Sequence, residues 1–369
     1  MAVHPSFVLP STYYVDASNT SGPWYGTEDY PFQYIQDAIE VCYRAEQILV
    51  APGLYVENVD YLGKDVSILS TRGPDFTTID GNQTSSAVVT FQSDNGHGSM
   101  LDGFTVTNGG GGTPGGIYCE YNSSPLIRNN IIVGNTAWNG GGILCANSSS
   151  PTITKNMILR NTALTDGGGI YCEDAAIVTN NVIADNVATN RGGGVFFEET
   201  TATVTNNTIT GNSSGQGGGG IYCYYNTSVV ATNTIFWNND APQGAEIYID
   251  STSTLTISYS DIDGMQASIY IKPGGTIIPG DGLIDADPRF ANPSLDDYHL
   301  GSDSLCFNAG DNTAPALPRA DFEGGPRIYP IGHKVDMGAD EIHWLMEQPP
   351  ASAGGIVPAG PAPGRQRTP

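Results

Sequence analysis

The feature that most constrains this chain is a repeat. Gly116-Ile117-Tyr118-Cys119 returns as Ile143-Leu144-Cys145, Ile170-Tyr171-Cys172, Val195-Phe196-Phe197, Ile221-Tyr222-Cys223 and Ile247-Tyr248-Ile249, at steps of 26, 27, 25, 26 and 26 residues. A glycine-rich turn precedes nearly every copy. Two asparagine columns keep the same step: Asn130, Asn156, Asn181, Asn207, Asn233 and Asn135, Asn161, Asn186, Asn212, Asn238. A fixed period of this length marks a solenoid. Each repeat holds three short β-type runs, such as GGIYC, SPLIRN and NIIVGN, divided by Gly or Asn turns. None can bury a face alone, so each must pair in parallel with its equivalent one repeat on, at ~4.8 Å. Asparagine tolerates a left-handed backbone, and stacked amides can satisfy each other and the turn backbone. The columns are therefore expected at the corners, in a structural role.

Strand alternation decides which residues face the core. Glu173 cannot enter a narrow core without a partner, so Ile170 and Cys172 are expected inside and Tyr171 and Glu173 outside. The inner column then reads Cys119, Cys145, Cys172, Phe197, Cys223, Ile249, which interchanges thiols with apolar groups, as a small core hydrophobe does. Buried free thiols are expected, and a disulfide framework is not. On the outer side, Tyr118, Leu144, Tyr171, Phe196, Tyr222 and Tyr248 form an aromatic stripe. Two residues on, Glu120, Ala146, Glu173, Glu198, Tyr224 and Asp250 form an acidic one.

The formal net charge is −24, with only 14 Lys and Arg residues. Phosphate backbones and anionic membranes are repelled by such a chain, so nucleic acid is not expected as a partner. Neutral ligands, or divalent cations bridging to an anionic polymer, suit it better. No apolar stretch approaches the ~20 residues of a membrane-spanning helix, and the first residues show no basic segment leading into an apolar one. A mature secreted or cell-surface protein, monomeric, is the expected setting.

With this repeat the sequence resembles the pectin-lyase-like right-handed parallel β-helix superfamily, and its coils are also similar to polymorphic outer-membrane protein repeats. Residues 31–70 resemble the entry segment of secreted β-helix proteins, in which an amphipathic helix plugs the open end. Here Ile35, Ala38, Ile39 and Cys42 would form its buried face. Residues 285–341 look like the closing segment of such proteins. The resemblance implies an all-β right-handed parallel β-helix, ~26 residues per coil, with an N-terminal cap helix and a C-terminal capping segment. The expected organisation is an entry segment over 1–70, coils over 71–284, a capping segment over 285–345 and a disordered Pro/Gly/Ala tail over 346–369.

The superfamily includes lyases, hydrolases, esterases, epimerases and non-enzymes, so fold alone does not fix activity. Sugar rings offer an apolar face and a hydroxyl-rich edge, which aromatic platforms and carboxylates can hold. Tyr118, Tyr171, Phe196, Tyr222, Tyr248 and Glu120 are therefore candidate substrate-binding residues for a polysaccharide or glycan. Glu173 and Glu198, one coil apart, are the candidate catalytic carboxylates. With Asp174 and Glu199 they are also candidate ligands for Ca2+. A lyase needs a basic residue, and Arg191 is the best placed. The triplet at His97 matches the GHG of polygalacturonases, without that family's other motifs. The expectation is a carbohydrate-active protein that binds a polysaccharide and, as lyase or glycoside hydrolase, cleaves it. Its rival is a non-enzymatic structural or adhesive β-helix.

Overall fold

The computed structural model describes residues 12–43, 45–93, 95–96, 98–328 and 332–342. His97 and the segment 346–369 lie outside the described residues. The chain winds into a solenoid of parallel strands. One coil runs Ile170–Cys172, Ala176–Thr179, Val182–Ala184 and Val187–Ala188. Its first three strands belong to three long sheets, called here C, A and B; A has 11 strands, and B and C have nine each. The fourth joins a short four-stranded sheet.

Register is kept residue for residue, so each column stays on one side of its sheet. Ile117, Ile143, Ile170, Val195, Ile221 and Ile247 pair in succession. Ile170, Cys172, Val178 and Ile183 are fully buried in one core that runs the length of the molecule. All six cysteines are buried and free. At the amino end the helix Ile35–Val41 turns Ile35, Ala38 and Ile39 into this core, with Cys42 buried just after it. The Glu57 carboxylate accepts the Ile35 and Gln36 N–H groups at 2.9 and 3.0 Å, satisfying the start of the helix.

At the corners the asparagine amides bond from coil to coil. Asn156 Nδ2 donates to Asn181 Oδ1 and to the Ile127 carbonyl, and Asn156 N–H donates to the same Asn181 oxygen. In the second column Asn186 repeats this toward Asn212, and Asn212 toward Asn239. The expected last members, Asn233 and Asn238, are displaced: both sit at positive φ on the outside of their corners. Thr234 and Asn239 take the inner positions. The step into this coil is one residue longer, from Asn207 to Thr234 and from Asn212 to Asn239, so the period lands on the asparagine that precedes each inner position. The second run ends on Glu246, which is 1 % exposed. Its carboxylate accepts both Asn239 N–H and Asn239 Nδ2, and burial pushes it up to about 8.

Residues 285–342 do not plug the carboxyl end. They lie along the flank of sheet B and its corner with sheet A, as a strap that doubles back on itself. Arg160 forks onto Asp296 at 2.6 and 2.9 Å, Cys306 bonds Asp261, and Asn233 Nδ2 donates to the Asp311 carbonyl. Thr205 reaches the Pro315 carbonyl and Asn180 that of Ala320. Returning, the strap places Asp336 on Asn206 and Ala339 on Thr208. The outward asparagines and threonines of the corner are its hydrogen-bond partners, which is why it is held along the side.

Candidate functional site

Tyr118, Leu144, Tyr171, Phe196, Tyr222 and Tyr248 stand in register on the outer face of sheet C, and Tyr270 continues the column. Their rings stack: Tyr171 on Phe196 at 5.0 Å, Phe196 on Tyr222 at 5.4 Å, Tyr222 on Tyr248 at 4.2 Å. This column outside the core is itself buried. Phe196 has no exposed surface, and Tyr171, Tyr222 and Tyr248 are no more than 8 % exposed. The expected open platform of ring faces is therefore absent.

The glycine turn is the cause. Gly167, Gly192 and Gly218 have φ near +65 to +71°, where other residues are strained. They fold the turn so tightly over the column that a Cβ on Gly192 would lie 2.7 Å from Phe196 Cβ. Arg191, in the same turn, closes the rest. Its guanidinium lies 4.8 Å from the Phe196 ring centre and 4.5 Å from that of Tyr224. It also forks onto Asp166, Nε to Oδ1 at 3.0 Å and Nη2 to Oδ2 at 2.7 Å. Burial works against the charge, but the Asp166 hydrogen bonds and charge outweigh it and hold Arg191 more firmly protonated. That is the reverse of what a base needs, so the expected role of Arg191 as proton acceptor is corrected to that of a cover over the stack.

The two catalytic candidates are brought together. The Tyr171 hydroxyl bonds Glu198 Oε2 at 2.5 Å and lies 3.4 Å from Glu173 Oε1. Burial first, and the Glu198 charge second, raise the Glu173 carboxyl above its ordinary range. One coil pair away Tyr118 donates to Glu120 at 2.8 Å, with the small Ala146 between the two sets. Asp250, in the same column, turns back to accept Thr252 and Ser253. Tyr224 and Tyr225 pack at 6.3 Å beside the acidic pair, and Tyr225 is exposed.

The four expected calcium ligands do not converge. Asp174 is turned to the Ser148 N–H, and Glu199 sits in a left-handed turn. Among the described residues no group of three or more His, Cys, Asp or Glu is arranged to hold a metal ion. The donor set does not fit Ca2+. The sequence sets Asp166 one coil before Arg191, 25 residues away; what it did not give is that the two side chains pair.

No curated protein matches the sequence. Among solved structures, pectate lyase Pel9A aligns at 13 % identity over 90 % of this chain and 96 % of its own, with a TM-score of 0.49. A rhamnogalacturonan lyase aligns at 14 % identity over 76 % of this chain and 90 % of its own, TM-score 0.36. Pectin methylesterase from carrot aligns at 14 % over 76 % and 84 %, TM-score 0.34. No helix among the described residues is long and apolar enough to cross a membrane. The sequence matches the family described as "Right handed beta helix region" over residues 53–215 and 141–280. These matches span more than half of the chain, which therefore belongs to the right-handed β-helix family.

Proposed function

We propose that the protein is a secreted or cell-surface β-helix that binds an extended neutral polysaccharide along the outer face of sheet C and hydrolyses it between Glu173 and Glu198. The observation that carries this reading is the single phenol of Tyr171 in contact with both carboxylates, one of which keeps its proton more readily than usual. Glu173 is the proton donor to the glycosidic oxygen. Glu198, held by the Tyr171 hydroxyl, attacks the anomeric carbon as the aglycone leaves. Glu173 then takes a proton from the water that releases the sugar. A phenol spanning the pair places it nearer the ~5–5.5 Å separation of retaining enzymes than the ~6.5–9.5 Å of inverting ones.

The lyase alternative loses its base, since Arg191 is committed to Asp166, and a uronate polymer would meet an acidic face. With the ring faces buried, sugar contact falls to the carboxylates of Glu120, Glu173 and Glu198, the hydroxyl edges of Tyr118 and Tyr171, and the rims of Tyr222 and Tyr248. A second reading, a non-enzymatic structural or adhesive β-helix, is favoured by the same stack: rings that satisfy one another need no ligand.

A panel of neutral and uronate polysaccharides, assayed for new reducing ends and for binding, decides between them. Hydrolysis with retained anomeric configuration, falling about 10²–10⁴-fold in Glu173→Gln and in Glu198→Gln, supports the first reading. Binding without cleavage, or cleavage undiminished in the double variant, removes it.

A further inference from the structure

The outer face of sheet B is covered unevenly. Leu159, Ala184, Thr210 and Trp237 stand in register in one column, one coil apart. Leu159 and Ala184 pack against Tyr298 and Phe290 of the strap, and the first three members of the column are no more than 6 % exposed. Trp237 is only half-buried. The next strand, Asp261–Ile262, pairs with Ile235 and Phe236 and stops short of it. Where the cover ends, a cavity of about 420 Å³ opens between Thr210, Trp237 and Asn238 of the coils and Asp287, Arg289 and Phe290 of the strap. Small-ligand sites span ~300–1,000 Å³.

We propose that this cavity binds one neutral sugar residue of a glycan, its apolar face on the Trp237 ring and its hydroxyls on Asp287, Arg289 and Asn238. The walls are fixed without their polar groups being spent. Phe236 enters the core, so alternation turns Trp237 outward, where it packs against the cluster of Ile235 and Leu300. Phe290 stands edge-on to Tyr298, ring centres 5.6 Å apart at 82°. The Arg289 N–H donates to Asp287 Oδ1 at 2.9 Å, and the Arg289 carbonyl accepts the Gly301 N–H at 2.8 Å. Yet the Trp237 indole N–H, the Thr210 hydroxyl and the Asn238 side-chain amide have no hydrogen-bond partner among the described residues. Arg289 meets Asp287 through Nε alone, at 3.6 Å.

Charge and polarity select the ligand class. Arg289 and Asp287 offset each other, and Asp263, which accepts the Asn238 N–H at 3.2 Å, would repel an anion. The Arg289 guanidinium would repel a cation. A wholly apolar ligand would strip water from these donors and acceptors and leave them unpaired. A sugar ring has an apolar face for the indole, and each hydroxyl both donates and accepts, as a carboxylate, a guanidinium and an amide together require. The cavity shares no residue with the Glu173 and Glu198 site on sheet C and does not rest on the function proposed there.

Hydrogen exchange of the full chain locates the binding, with Glu173→Gln and Glu198→Gln present so that no probe is consumed. The probes are neutral gluco-, galacto-, manno- and xylo-tetrasaccharides and a galacturonate tetrasaccharide, each at millimolar concentration. At least one neutral probe is expected to slow exchange over residues 235–240 and 287–293, and the galacturonate is expected to leave both unchanged. Arg289→Ala, which removes a side chain that is 58 % exposed and so leaves the packing of the strap in place, is expected to weaken this binding about tenfold. Trp237→Ala is expected to weaken it at least as much. The proposal is overturned if no neutral probe slows exchange at these residues, if protection is confined to sheet C, if the galacturonate alone protects, or if neither variant changes the affinity. Protection beside the strap with none on sheet C upholds this site and removes the sugar face of sheet C instead.

Discussion

The outer face of sheet C and the flank beneath the strap are built from the same coils, yet they are closed by opposite means. On sheet C the covering comes from within each coil: glycines fold the turn onto the aromatic column, and Arg191 spreads over it while remaining 24 % exposed. On the flank the covering is a distant piece of chain held by Arg327, which is almost wholly buried. Arg327 donates to the carbonyls of Gly338, Ala339 and Asp340 and to Asn180 Oδ1, with Glu341 at 3.6 Å. One arginine is a surface cover beside the glycine turns of its neighbours, the other a single internal clamp. A local cover can be altered one coil at a time, whereas a clamp fails as a unit.

The largest effect should come from the clamp. Arg327→Met leaves Glu341 and Asp336 without their cation, and breaking a buried pair in this way costs about 3–5 kcal/mol. Denaturant titration should show this loss, and hydrogen exchange should show residues 285–342 opening before the coils. If the strap stays protected, the clamp is less than the contrast with Arg191 requires.

The next effect is one of pH. Burial holds Asp261 at about 7 and Glu246 at about 8. His299 is raised to about 9 because the carboxylates of Asp340, Asp297 and Glu323 outweigh its burial. All three bind protons more tightly in the folded chain than in the unfolded one. For Asp261 and Glu246 the contribution is complete below about pH 4; for His299 it is complete below about pH 6.5. It is lost as pH rises through 7, 8 and 9 respectively. Thermal melts between pH 5 and 9.5 should fall steadily, and a flat profile would remove this difference between the strap side and sheet C.

Arg191→Met should cost less, about 1–2 kcal/mol, since it removes a partly exposed ion pair and ring contacts. Tyrosine near-ultraviolet dichroism should change while the strap stays protected. The smallest stability change, under about 1 kcal/mol, is expected of Tyr171→Phe. Its signature is in the pH profile of any hydrolysis, because Glu173 loses the Tyr171 hydroxyl that lowers its carboxyl, and the limb that reports Glu173 moves up.

The coil, its period and its inward residues were legible because alternation and a ~26-residue step are written into every repeat. Cys172 in the core followed from that pattern; Ile35, Ala38 and Ile39 on the cap helix followed instead from amphipathic helix spacing and the resemblance of residues 31–70 to the entry segment of secreted β-helix proteins. Alternation says on which side of a strand Phe196 lies, but not what lies over it; that depends on three glycines taking a left-handed turn. Column counting also slipped by one at Asn233 and Asn238, where asparagine occupies the position before the true one. The strap has no period, so its residues offered no rule to tell a plug at the end from a binding along the side. The Glu173 and Glu198 neighbourhood was legible from register, whereas the divergence of Asp174 and Glu199 was not, since Asp174 is turned to the Ser148 N–H and Glu199 by its own left-handed backbone.

The hydrogen-bonded asparagines have a direction. Every side-chain amide from Asn135 to Asn212 in this column gives one N–H to the amide oxygen of the following coil and one back to a strand carbonyl of the preceding coil, and Glu246 receives the last pair. A coil copied and inserted between those residues would find a donor waiting above and an acceptor below, and could be stitched in without a loose end. Past Glu246 the strands run on for another coil without this amide column. The column can therefore be lengthened short of Glu246 and not past it, much as a zip takes new teeth only short of its stop.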